Sequence, residues 1–170
     1  MKSAVALLVV LMLGGCGATS VGTSATVAAT TDDLRWIDTL RELDEKGDSV
    51  VGAAKFQSPR KELSAFADAA SHAHKERTEE IKAWRSSSFP TALSAVELPP
   101  CAQRDFRVGP KPSDLEILDA FIAHRECASS YANQALAAVR ATNAQHVLEE
   151  TARTFAAELQ QLRAWRESWK

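Results

Sequence analysis

The chain has 170 residues, of which 45% are hydrophobic and 25% are charged, a composition typical of a globular protein with one domain. Its 20 basic and 22 acidic residues give a formal net charge of −2. Because these charges nearly cancel, the protein has no strong positive field that would attract an acidic polymer. Nucleic acid is therefore not expected among its partners.

The first fifteen residues are typical of a secretory signal peptide. Lys2 precedes an unbroken apolar run, 4–13, which is too short to span a bilayer as a permanent helix. The run ends in Leu-Gly-Gly-Cys at 13–16, which resembles the bacterial lipobox, whose cysteine thiol carries a diacylglycerol. We therefore expect residues 1–15 to be removed and the mature chain to begin at a lipidated Cys16. The alternative is an ordinary secretory signal with a chance cysteine.

The residues after this cysteine indicate where the protein resides. Gly17 stands where an aspartate favours inner-membrane retention in proteobacteria. The lipobox resemblance therefore implies the outer membrane, facing the periplasm, in a Gram-negative cell. Residues 16–31 are small and uncharged and cannot build a core, so we interpret them as a flexible tether holding the domain about 20 Å from the lipid. The expected partners are the membrane, bound through the N-terminal lipid, and an envelope protein of unknown identity.

Helical periodicity begins at Asp32 and predicts four helices over 32–170. The first covers about 32–56. The second opens at Ser58-Pro59, an N-cap followed by a proline at the first helical position, and ends near residue 87. The third opens with a capping box, Ser113-Asp114-Leu115-Glu116, and ends near residue 140. The fourth runs from Asn143 to the C-terminus, and no segment alternates as a strand would.

These helices predict an all-α fold, a four-helix bundle built of two hairpins, 32–87 and 113–170. The connection between them, 88–112, holds five of the six prolines. Connections of that length without secondary structure are uncommon in compact domains, and a crossover that runs along the bundle would account for this one. A crossover makes the second and third helices parallel, as in ferritin-like bundles. The alternative is a simple up-down arrangement.

Two short segments recur at a constant offset of 81 residues. IKAWRSS at 81–87 is matched by LRAWRES at 162–168, and the same offset pairs Phe66 with Val147. The recurrence indicates two related helical hairpins. Chance repetition of Ala-Trp-Arg in a helix-rich chain is the alternative.

Residues 120–169 resemble a ferritin-like domain family of unknown function that often accompanies bacterial copper-handling genes. The resemblance implies a ferritin-like bundle, and the first hairpin shares it only faintly. Three positions depart from the family pattern: Arg125 replaces the second histidine of a His-His pair, Cys127 a glycine and Tyr131 a methionine. These departures count against metal binding by the family pattern. The positions that match the pattern are Phe121, Ile122, His124, Ala128, Ala132, Glu158, Leu159, Leu162 and Trp165.

No two of the four histidines share a helix face, and no Glu-x-x-His occurs in the helices, so a dinuclear carboxylate centre is not predicted. We expect solvated or capping roles for His72, His74, His124 and His146, and no metal or cofactor. The alternative is a soft copper or zinc site made of His124, Cys127 and Cys101. Phosphate-binding loops and nucleophile elbows are missing from the sequence, so we predict that the protein is not an enzyme.

Two arginines project into the apolar stripes of their helices: Arg77 on the second and Arg125 on the third. A cation inside a bundle is tolerated only when it is paired, so we predict carboxylate partners, with Asp44 and Glu158 best placed. The alternative is that both arginines extend to solvent past their own stems.

Export would place Cys101 and Cys127 in an oxidising compartment as the two remaining thiols once Cys16 is lipidated. We predict that they form a disulfide that anchors the crossover to the third helix. The alternative is a reduced pair that binds Cu(I) with His124. The predicted function is a lipid-anchored envelope protein whose bundle serves binding or scaffolding, and the alternative is a periplasmic copper- or zinc-binding protein.

Overall fold

A computed structural model of the protein describes residues 27–92 and 96–169. The predicted signal peptide, Cys16 and most of the tether lie outside these ranges. All regular structure in the described ranges is helical, as the predicted all-α class requires, and no helix there is long and apolar enough to cross a bilayer. The elements are α1 (Thr31–Glu45), α2 (Asp48–Phe56), α3 (Lys61–Ser88), a 3-10 turn (Pro100–Ala102), α4 (Asp114–Ala138) and α5 (Thr142–Ser168).

Local side-chain chemistry sets the starts of the helices. The capping box predicted for α4 is confirmed: the Glu116 amide donates to Ser113 Oγ at 3.2 Å, and the Ser113 amide donates to the Glu116 carboxylate at 2.7 Å. The start predicted for α3 at Ser58 is wrong by a few residues, because α3 begins at Lys61. Ser58 Oγ instead accepts from the Arg60 amide and donates to Asp114, so it ties the starts of α3 and α4 together.

The single helix predicted over 32–56 is wrong, because the chain breaks at Lys46–Gly47 into α1 and α2. The Gly47 amide donates to Asp44 O at 2.9 Å, one residue nearer than in an α-helix. Counted as one interrupted helix, α1 and α2 join α3, α4 and α5 in an arrangement compatible with a four-helix bundle.

Two apolar clusters form the core, one toward each end of the bundle. The starts of α3 and α4 share one cluster, as Leu63 and Leu118 show. The ends of the same helices share the other, as Trp84 and Ala135 show. The two helices therefore run in the same direction. The connection between them buries Phe106 in the cluster that holds Trp84.

Candidate functional site

A layer of charged side chains crosses the bundle between the two apolar clusters. The helices α3, α4 and α5 contribute to it where they pass from one cluster to the other, and α1 contributes to it at its C-terminal end. Exposure is 5% for Asp44, 8% for Arg77, 1% for Arg125 and 0% for His124. We call these four residues, together with the partly buried His74 and Glu158, the charge layer. Its members are Asp44 from α1, His74 and Arg77 from α3, His124 and Arg125 from α4, and Glu158 from α5.

Asp44 is the centre of the charge layer. Its Oδ2 accepts from Arg77 Nε at 2.9 Å and from His74 Nδ1 at 2.8 Å, and its Oδ1 accepts from Arg125 Nη1 at 3.2 Å. Burial raises the pKa of Asp44, but the hydrogen bond from His74 and the charges of both arginines outweigh burial and hold that pKa well below its usual range. Asp44 is therefore a permanent anion shared by two cations.

Arg125 joins Asp44 to Glu158 on α5, with which it forms a second ion pair. Burial raises the pKa of Glu158, while the charges of Arg125 and Arg77 act in the opposite direction. Both guanidinium groups lie over the ring of Phe155, Arg77 at 4.8 Å and Arg125 at 4.7 Å from the ring centroid. Two cations and two carboxylates thus balance each other around one aromatic ring.

The four charged residues that are predicted to pair lie together in the structure. Arg77 and Arg125 are buried, and their carboxylate partners are Asp44 and Glu158. Neither arginine extends to solvent past its own stem. His74, expected at the edge of its helix stripe with a solvated or capping role, instead donates to the central carboxylate. That hydrogen bond raises the pKa of His74, and burial opposes the effect.

His124 explains the break between α1 and α2. Its Nε2 is 2.9 Å from Leu43 O, and since a carbonyl can only accept, Nε2 carries the proton. Its Nδ1 then accepts from Arg125 Nη1 at 3.3 Å. A Cβ added to Gly47 would lie 2.5 Å from His124 Cε1, so the ring occupies the space that a side chain would need. A side chain inserted into the hydrogen-bond ladder is a recognised cause of helix interruption.

The location of His124 agrees with one part of the prediction of a solvated or capping role and contradicts the other. The residue is fully buried, so a solvated role is wrong, whereas its contact with Leu43 O is a form of backbone capping. Burial and then the charge of Arg125 lower the pKa of His124 from 6.5 to about 4, although the hydrogen bond to Leu43 O opposes them. The imidazole is therefore neutral at physiological pH, with both nitrogens engaged. Phe106 from the connection packs edge-on against it at 5.0 Å.

The structure joins Cys101 and Cys127 in a disulfide with a Cα–Cα distance of 5.7 Å. Cys127 is only 3% exposed on α4, whereas Cys101 is exposed in the 3-10 turn. The bond uses both sulfurs, so it does not leave thiols for the alternative site with His124. No three His, Cys, Asp or Glu side chains among residues 27–92 and 96–169 are grouped to hold a metal. An open groove of about 330 Å³ beside the disulfide is lined by Cys101, Arg104, Ala123, Glu126, Cys127 and Ser130.

The offset of 81 residues reappears in the charge layer. It relates Asp44 to Arg125 and Arg77 to Glu158. Each hairpin carries one buried ion pair whose members are 33 residues apart, with the acid first in one hairpin and the base first in the other. Because acid and base exchange positions between the hairpins, a comparison of residue types does not detect that the two ion pairs correspond. The equal spacing of 33 residues is the signal in the sequence that could have revealed it.

Comparison with known proteins gives a fold and no family. No family model matches the chain, and no curated protein matches it. Among solved structures, CopM in the Cu(II)-bound form is similar, with a TM-score of 0.69 and 16% sequence identity over 81% of this chain and 97% of that chain. At this identity the likeness shows the fold alone. The chain therefore has a helical fold that is also found in a protein of known structure with bound copper.

Proposed function

We propose that the protein is a lipid-anchored component of the bacterial cell envelope whose helical bundle acts by binding or scaffolding and not by catalysis. The charge layer is the observation that carries the non-catalytic part of this proposal. Its two arginines and two carboxylates neutralise one another inside the bundle. Ionic groups whose charges are matched by buried partners serve the fold, which favours a non-catalytic role.

The location is part of the same proposal. The Leu-Gly-Gly-Cys motif and the tether that follows it favour lipidation at Cys16 and, in a Gram-negative cell, the outer membrane facing the periplasm. The disulfide between Cys101 and Cys127 agrees with an oxidising compartment. We also include the resemblance of 120–169 to the copper-associated ferritin-like family. In such a topology, the predicted connection 88–112 is a crossover, and the common direction of α3 and α4 supports this proposal.

Fractionation of cells that express Cys16→Ser tests the proposal. The wild-type protein is expected in the membrane fraction with the added mass of a diacylglycerol, and the variant is expected to be soluble or unprocessed. Cys101→Ser is the matched control, because it removes a cysteine from the folded domain, where it opens the disulfide, and should leave membrane attachment unchanged. Membrane fractionation of Cys16→Ser identical to the wild type, with no lipid mass on either, would contradict the proposal.

A copper-related role is the second candidate, favoured by the similarity to CopM in its Cu(II)-bound form. The described residues do not fit a resident copper site in the oxidised protein. Cys101 and Cys127 are bonded to each other, and both nitrogens of His124 are engaged. Mass spectrometry of metals in protein purified without a chelating tag separates the two candidates: stoichiometric copper would support the second and contradict a purely structural bundle.

A further inference from the structure

We propose that Cys101 and Cys127, once their disulfide is reduced, form a two-coordinate site for a soft monovalent cation, of which Cu(I) is the biological example. This inference rests on the second candidate function, the copper-related role, and is independent of whether the protein carries a lipid anchor. It starts from the sulfur atoms of the chain, which are three cysteines and two methionines. Met1 and Met12 lie in the predicted signal peptide, and Cys16 is the predicted lipid carrier. Soft thiolate ligands for Cu(I) in the folded domain are therefore confined to this pair.

The positions of the two cysteines suit a site that opens by reduction. Cys127 lies within α4, where the helix holds its Cα in place, and Cys101 lies in a 3-10 turn of only three residues, Pro100–Ala102. The bond already fixes the two Cα atoms 5.7 Å apart. When it is broken, rotation of the two side chains about their Cα–Cβ bonds lets the sulfurs separate by the width of a cation placed between them. The helix then supplies one ligand and the turn the other.

Access comes from the side of Cys101. This residue is exposed, and both cysteines line the open groove of about 330 Å³. Arg104 lines the same groove. A cation with charge +1 held by two thiolates leaves one net negative charge, which the guanidinium of Arg104 would offset.

The chemistry requires a dithiol reductant. A thiolate of the reductant attacks the exposed Cys101 Sγ, the disulfide bond breaks, and Cys127 leaves as a thiolate that takes up a proton. The second thiol of the reductant then displaces Cys101, so the reductant becomes a cyclic disulfide and the protein gains two electrons and two protons. Binding of Cu(I) forms two Cu–S bonds and releases both thiol protons.

The surroundings favour a soft monovalent cation over zinc. Zinc in proteins takes four ligands in a tetrahedron. Besides the two sulfurs, the groove offers the Ser130 hydroxyl and the Glu126 carboxylate, and this carboxylate is already paired with Arg163 at 2.8 Å. His124, three residues before Cys127, keeps both nitrogens in the charge layer. Two sulfurs complete a Cu(I) site and leave a zinc site unfinished.

Competition with the chromophoric Cu(I) complex of bicinchoninate tests the proposal on the purified full-length protein. The protein is reduced with dithiothreitol, desalted without oxygen and titrated. Reduced wild type is expected to withdraw about one Cu(I) per chain and to release about two protons, since two thiolates are the ligands. The oxidised protein is expected to withdraw none, as are the reduced variants Cys101→Ser and Cys127→Ser. Circular dichroism verifies that each variant keeps its helices, and Cys101→Ser, at an exposed position, decides the matter if Cys127→Ser fails to fold.

Three results would overturn the proposal. The first is a reduced wild type that leaves the chromophore unchanged. The second is a serine variant that takes up as much Cu(I) as the wild type. The third is zinc binding by the reduced protein as tight as Cu(I) binding. Copper uptake by the oxidised protein would support the second candidate function at another site and would overturn redox control by this pair. Membrane attachment through Cys16 is measured separately, so none of these results affects it.

Discussion

Asp44 and Arg125 meet in the middle of the bundle, with Oδ1 3.2 Å from Nη1, although 81 residues separate them in the chain. Asp44 also pairs with Arg77, so a single carboxylate links α1 to both α3 and α4. An ion pair that is this deeply buried adds little net stability over an apolar contact, but loss of one partner leaves a charge without compensation.

The first prediction concerns that carboxylate. Asp44→Asn should lower the free energy of unfolding by about 3–5 kcal/mol, because two buried guanidinium groups lose their shared anion. Urea denaturation at pH 7 measures the change. Asp32→Asn is the matched control: Asp32 is exposed on the same helix, and its loss should cost less than about 0.5 kcal/mol. Equal effects of the two substitutions would contradict the central role of Asp44.

The second prediction concerns the pair on α4 and α5. Arg125→Met leaves Glu158 buried without its cation, and Glu158→Gln leaves Arg125 with Asp44 alone. The double variant should be more stable than the sum of the two single effects implies, by about 1–3 kcal/mol, because neither charge is then unpaired. A double-mutant cycle in urea measures this coupling energy. A coupling energy of zero would mean that the two side chains do not interact.

The third prediction uses two glycines of the same helical region. Gly47→Ala should destabilise the protein by about 1–3 kcal/mol, because its methyl group would collide with the His124 ring. Gly52→Ala, within α2, meets nothing within 4 Å. It should stabilise the protein by about 0.5–1 kcal/mol through helix propensity. Thermal or urea unfolding of both variants gives the comparison, and stabilisation by Gly47→Ala would contradict the proposed cause of the break.

The fourth prediction is a pH dependence that arises from His124. The folded protein lowers the pKa of His124 from 6.5 to about 4, so its contribution to stability is complete above pH 6.5 and is lost as the pH falls toward 4. Between pH 7 and pH 5 the loss should be about 2 kcal/mol. His124→Gln, whose amide can still donate to Leu43 O, should lack this loss. His74 has the opposite sign, because its raised pKa gives stability that disappears as the pH rises above its folded value.

Urea unfolding of both proteins at pH 7 and pH 5 measures the difference due to His124. The comparison removes contributions from Glu158 and His74, which are present in both proteins. Parallel stability changes in the two proteins over this range would show that His124 is not buried in its neutral form.

Some features of the fold and of the charge layer follow from local chemistry. The capping box at Ser113 could be predicted because its two hydrogen bonds join residues three apart. The partners of Arg125 could be predicted because a buried cation needs a carboxylate and helix phase limits the choice. The break at Gly47 could not, since its cause is His124, which lies far along the chain. The role of His74 could not be predicted for a similar reason. Its position in the helical repeat places it at the edge of the apolar stripe of α3, and only the position of Asp44 on another helix directs its side chain inward.

The charge layer also fixes the position of each helix along the axis of the bundle, relative to the neighbouring helices. Apolar attraction is non-directional and by itself discriminates less sharply than charge pairing against a helix that slides by one turn, about 5.4 Å. Such a slide would move the Arg125 guanidinium away from Asp44 and Glu158 and into aliphatic surroundings, at a cost of several kcal/mol. The ionic groups therefore determine the register of the helices along the bundle axis, because they disfavour arrangements in which one hairpin is shifted relative to the other. The apolar contacts supply the attraction between the hairpins.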